Sequence, residues 1–156
     1  MSSLKKKIIV NNTGLTLLSE GKTIRIKAHG YSMYPCIKPG SVILIEPISL
    51  KGIPRPGEII AIATENGLII HRLVKIVVKN NLRTFIARGD SNAFTDDPVK
   101  IDKIAGRIVG AETTGENPVP ANISINTKPN YFINRIRVIV LLLTKKIQLT
   151  AKSAKM

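Results

Sequence analysis

The sequence predicts a mostly β domain, a barrel or bent antiparallel sheet, with a short helix before it and a basic helix after it. Three observations carry this expectation. Short alternating or wholly apolar runs recur between residues 23 and 111, turns rich in Gly, Pro and Asn separate them, and the apolar period becomes helical only beyond residue 131.

Taken in order, residues 13–20 form a short helix closed by Gly21. Residues 23–27 alternate, with Ile24 and Ile26 on one face and Arg25 and Lys27 on the other, as a half-buried strand requires. Pro35, Pro39 and Gly40 mark a turn, residues 42–45 a short buried strand, and the prolines and glycines of 47–57 a loop. Strands resume over 58–63, 68–78 and 83–88, separated by Glu65-Asn66-Gly67 and Lys79-Asn80-Asn81. A polar loop follows over 89–98, and a last strand over 103–111. The divisions expected are an N-terminal segment (1–21), a β domain (22–112), a linker (113–130) and a basic helix with its tail (131–156). Within that helix Ile133, Ile136, Val140, Leu143 and Ile147 recur at spacings of three and four. Two readings suit it: a terminal helix packed on its own domain, or an interfacial helix lying on anionic lipid or docking a partner.

A net charge of +14 over 156 residues favours anionic partners, a membrane surface or a nucleic acid. The charge belongs mainly to the ends, since Lys5, Lys6 and Lys7 open the chain and no acidic residue follows Glu116. Only 4% of residues are aromatic, so the interleaving of aromatic with basic residues that nucleic-acid binding normally shows is poor, which argues against a nucleic-acid partner. Cys36 is the single cysteine, so an intramolecular disulfide and a cysteine-based structural zinc site are excluded; a buried small residue is its expected state. No run approaches the roughly 20 apolar residues of a membrane span. The apolar Ile8-Ile9-Val10 is shorter than the about 7–15 residues of a signal-peptide core. A soluble or peripheral cytoplasmic protein without cofactor or metal is expected.

Three polar clusters fall where turns or strand ends are predicted. In Gly30-Tyr31-Ser32-Met33-Tyr34-Pro35, a serine follows a strand with glycine two before it and proline three after. Such a turn can expose a hydroxyl while its own N–H points into a site as an oxyanion donor. His71 lies in the apolar run Ile69-Ile70-His71-Arg72-Leu73. It suits either a satisfied structural role or proton transfer from serine near neutral pH. Asp90, Asp96 and Asp97 share one loop, as a solvated turn, a cation site, or the carboxylate that orients a histidine.

In this order and spacing, the stretch from about Gly30 to Gly110 resembles the catalytic domain of type I signal peptidases. The motifs are Ser-Met-x-Pro (Ser32 to Pro35), Pro-Gly-Glu (Pro56 to Glu58) and His-Arg-Leu (His71 to Leu73). Gly-Asp-x-Asn (Gly89 to Asn92) follows with a trailing Asp96-Asp97, then Gly106-Arg107. The resemblance implies coiled antiparallel β-sheets of the signal peptidase/LexA-like type, and a serine endopeptidase cleaving an extended peptide or preprotein after small residues. Bacterial signal peptidases and LexA-like repressors use a lysine base. Histidine at this position resembles the endoplasmic-reticulum and archaeal type, so Ser32 is the implied nucleophile and His71 its base. Asp97 is the expected orienter of His71, Asp96 its competing neighbour, and Asp90 a support of the site. The Ser32 N–H is the expected oxyanion donor, and Met33, Ile59 and Ile69 are the expected lining for small substrate side chains.

Two departures stand out. Gly30 occupies the place where many members have an assisting serine, and residues 2–27 contain no spanning anchor. The rival expectation is a non-catalytic LexA-like module that binds a partner or nucleic acid through its basic ends. The roughly 30 residues before the first motif are too short for a helix-turn-helix domain.

Overall fold

Alternation in the sequence becomes pairing in three dimensions. Strands β1 (Ile24–Lys27) and β2 (Val42–Pro47) run antiparallel with Ile24 opposite Ile45 and Ile26 opposite Ile43. Their shared face therefore falls into the core, where Ile43 and Ile45 are fully buried. The structure, a computed structural model, describes residues 13–50, 52–112, 120–121 and 128–153.

Helix α1 (residues 13–19) covers the β1 end of this hairpin, with Leu18 packed in the same cluster as Ile24 and Ile43. Gly21, at φ 80°, ends it: its N–H bonds the Leu18 carbonyl at 3.1 Å, and that of Lys22 the Leu17 carbonyl at 2.9 Å.

The remaining strands are β3 (Ile59–Thr64), β4 (Gly67–Lys79), β5 (Leu82–Arg88), β6 (Ile104–Glu112) and the two-residue β7 (Pro120–Ala121). All pairings are antiparallel, in the spatial order β1-β2-β6-β3-β4-β5, with β7 beside β6 and the sheet not closed. The mostly β expectation holds, with a helix at each end. The tight β4–β5 turn places Asn80 and Asn81 at φ 50° and 59°, the left-handed pair that a two-residue type I′ hairpin requires.

The run Ile59 to Ile62 does not alternate because both faces of β3 are covered. Ile59 and Ala61 join the cluster of Leu18, Ile24, Met33, Ile37, Ile43, Ile45 and Ile108. Ile60 and Ile62 join Leu73, Phe85, Ala87 and Ile104 on the opposite face. Register shifts at Leu44/Ile45, Ala61/Ile62 and Leu73/Lys75 interrupt the ladders; such bulges bend strands and increase their twist. Where β6 crosses β2, a Cβ on Gly106 would run into the Glu46 carbonyl oxygen, so the pairing needs glycine there.

Three sequence boundaries shift. Pro47 ends β2 instead of opening the loop, residues Ile48–Leu50 form a 3-10 turn, and residues 120–121 pair with β6 inside the expected linker. The rest of that linker, 113–119 and 122–127, and residues 1–12 lie outside the described residues. Helix α2 (Tyr131–Ser153) runs past Ile147, the last of the apolar residues that recur at spacings of three and four. Asn130 caps it, its side-chain carbonyl accepting the Ile133 N–H at 3.1 Å. No described helix is long and apolar enough to cross a membrane.

Candidate active site

β5 ends at Arg88, opposite Arg72 of β4. His71 therefore lies beyond the last β4–β5 pair, while on its other side it pairs with Ile60 of β3. The chain leaving β5 turns through residues 89–95 and comes back along that strand's outer edge. There the Asp96 N–H bonds the Ala87 carbonyl at 2.8 Å, and Val99 exchanges bonds with Phe85. This return brings Asp96 over the uncovered position, with its Oδ2 2.6 Å from His71 Nδ1.

Asp96, not Asp97, thus holds the histidine. Successive residues of an extended segment point to opposite sides, so Asp97 is turned outward and exposed. His71 itself is 7% exposed. A carboxylate on Nδ1 fixes the tautomer that carries the proton there and leaves Nε2 as the acceptor.

Arg72, the next residue, projects to the other face and makes a two-pronged ion pair with Asp90. Its Nε lies 2.8 Å from Oδ1 and its Nη2 2.7 Å from Oδ2, with Asp90 1% exposed. Nη1 donates to the Gly57 carbonyl at 2.8 Å, and Nη2 lies 3.5 Å from the Cys36 sulfur. Burial opposes the charge on Arg72, but its bonds to Asp90 outweigh that and the guanidinium pKa lies above its ordinary value. Burial raises the Cys36 thiol pKa, against the pull of Arg72. A second guanidinium, Arg107, bonds Glu58 at 3.1 Å and the Gly52 carbonyl at 2.7 Å. Pro-Gly-Glu, His-Arg-Leu, Gly-Asp-x-Asn and Gly-Arg, scattered in sequence, are in this way tied together by polar bonds.

The serine turn is attached to the same loop. The Ser91 N–H donates to the Ser32 carbonyl at 2.9 Å, and the Ser91 hydroxyl to the Tyr31 carbonyl at 2.6 Å. Gly89 is pressed against this contact, since a Cβ there would stand 2.8 Å from the Ser32 carbonyl oxygen and 2.8 Å from the Asn92 amide. Met33 and Ile37 anchor the turn in the first core cluster. Among the described residues, neither the Ser32 hydroxyl nor its N–H is engaged in a hydrogen bond, and the hydroxyl is not bonded to His71. Catalytic hydrogen bonds are often open in a free enzyme and close only around substrate. Gly30 sits at φ 81°, so the assisting serine absent here would be strained in this backbone.

Two expected lining residues are corrected by packing. Ile59 has no exposed surface and Met33 only 4%, both being core side chains, so neither offers a surface to a peptide. Ile69, on β4, is 40% exposed. Three contacts were not anticipated: the Ser91 clamp, the Arg72–Asp90 pair, and α2. The Asn134 amide of α2 donates to the Asp90 carbonyl at 3.1 Å, and Tyr131 lies 3.8 Å beneath the Arg88 guanidinium. Lys145 bonds the Tyr31 hydroxyl beside Ser32. Arg72 and Ser91 stood inside the quoted motifs, so that signal was available; the contacts of α2 had none. Among the described residues no group of three His, Cys, Asp or Glu side chains is arranged to hold a metal ion.

Comparison with protein-family models and with curated proteins finds no match to this chain.

Proposed function

We propose that this chain is a serine endopeptidase resembling signal peptidase I, with Ser32 as nucleophile, His71 as general base and Asp96 as the carboxylate that positions His71. The observation that carries this reading is the buried His71, held at Nδ1 by Asp96 on the same loop that clamps the Ser32 main chain. In this mechanism Ser32 Oγ attacks the scissile carbonyl as its proton passes to His71 Nε2. The imidazolium then protonates the leaving amine, and water deacylates the ester by the reverse transfer. The Ser32 N–H, engaged by no described residue, faces the developing oxyanion.

Asp90 acts indirectly, through Arg72 and the loop that bears Ser91. β1 runs into the Ser32 turn and among the described residues pairs only with β2. Its other edge suits an extended peptide added as a strand, with a small residue at the cleavage point. The test is a library of peptides with small residues at alternate positions, incubated with wild type, Ser32→Ala and His71→Ala. Cleavage after small residues by wild type and its loss in both variants are expected. Full activity in either variant would remove the dyad.

A further inference from the structure

Helix α2 touches the domain along one narrow line. Tyr131, Asn134, Val138, Leu141 and Lys145 fall three and four apart on the side turned inward, where Tyr131, Asn134 and Lys145 make the contacts described above. Opposite them lies a stripe of Phe132, Ile136, Ile139, Val140, Leu143 and Ile147, every one exposed. A helix at 100° per residue places these six on one face. Arg135 and Lys146 border the stripe on one side and Arg137 on the other, all three exposed. No acidic residue occurs in α2, nor anywhere after Glu116.

We infer that this face of α2 docks on an anionic lipid surface. Large contiguous apolar faces are uncommon on soluble chains unless something covers them. A stripe flanked by cations, without anions and on a helix that does not span, has the chemistry of an interfacial helix, its apolar side chains among acyl chains and its basic ones at phosphate level. A second copy of α2 is the poorer occupant, because it would bring two acid-free, basic-flanked faces together. The inward contacts to Tyr31 and the Asp90 loop then set the candidate site one helix thickness, about 10 Å, from the lipid. This docking holds whether or not Ser32 is a nucleophile.

The test uses the full chain with vesicles of phosphatidylcholine alone, or of phosphatidylcholine mixed with phosphatidylglycerol, read by co-sedimentation. Binding to the mixed vesicles is expected. It should weaken by about tenfold or more in Ile139→Ser/Leu143→Ser, which removes apolar contact and no charge. It should weaken again in Arg135→Gln/Arg137→Gln/Lys146→Gln. These side chains are exposed, and an unchanged circular-dichroism melt establishes that each variant is folded. Absence of binding to the mixed vesicles would overturn the inference. So would undiminished binding in the serine variant, which would assign attachment to the basic termini. A dimer that the same variant dissociates, without lipid binding, would give the face to a second copy and overturn it as well.

Discussion

Replacing Asp96 by Asn tests whether His71 is a working base or a buried structural histidine. With neutral imidazole the 2.6 Å Nδ1–Oδ2 contact is a hydrogen bond to a carboxylate, and its complete loss costs about 1.5–3 kcal/mol of stability. Once His71 has taken the serine proton, the same contact joins opposite charges. At 2.6 Å and an effective dielectric of about 20, that attraction is about 6 kcal/mol. The Asp96 side chain is 27% exposed, so water screens part of it, and the Asn carbonyl recovers part of the hydrogen bond. About 3–5 kcal/mol remains, or roughly 10²–10⁴ in rate. Measured as kcat/KM on a peptide that the wild type cleaves, Asp96→Asn should fall by that factor while its thermal midpoint moves by only a few degrees. Asp97→Asn should stay within about twofold, as a substitution at an exposed side chain that bonds no other described residue. The reverse order, with Asp97→Asn disabled and Asp96→Asn active, would refute the assignment. Equal losses of stability and rate in Asp96→Asn would make His71 merely structural.

Arg72→Met leaves Asp90 charged, buried and without its guanidinium, and urea unfolding should show a loss of about 3–5 kcal/mol; a loss below about 1 kcal/mol would mean that the pair contributes little. Gly89→Ala forces a methyl against the Ser32 carbonyl and Asn92, so peptide cleavage should drop sharply while stability falls by about 1–3 kcal/mol. Unchanged cleavage would show that the clamp does not set the serine turn. The Cys36 thiol pKa is raised by burial, so the thiol form prevails in the native protein through neutral pH. Alkylation by iodoacetamide should be slow there and accelerate only at a higher pH than for the urea-unfolded chain. Equal pH profiles for native and unfolded protein would contradict that burial.

Much of the fold was legible because each strand carries its own local signal. Alternation marked β1, and Asn66-Gly67 marked the β3–β4 hairpin, in which Thr64 pairs with Gly67; Asn80-Asn81 was legible only as a break between strands. The double burial of β3 could be read only as an apolar run, since the covering face comes from residues far away in sequence. The candidate site was legible as motifs but not as geometry. Which of two adjacent aspartates reaches His71 depends on how the return strand lies against β5, and its bonds through Ala87 and Phe85 leave no trace in residue type. Met33 lies inside the serine motif and Ile59 directly follows Pro-Gly-Glu, but the first core cluster buries both side chains. The helix was visible from its period, but its inward line, chosen by Asn134 and Lys145, was not.

The central claim is that Ser32 is acylated with His71 as its base. Wild type and His71→Ala are mixed with an ester of a peptide ending in a small residue, quenched in acid and digested, and the peptide containing Ser32 is weighed by mass spectrometry. An acyl group on Ser32 that forms in wild type, and far more slowly in His71→Ala, is the expected result. Peptide cleavage that continues in Ser32→Ala, or acylation that proceeds equally without His71, would contradict the account.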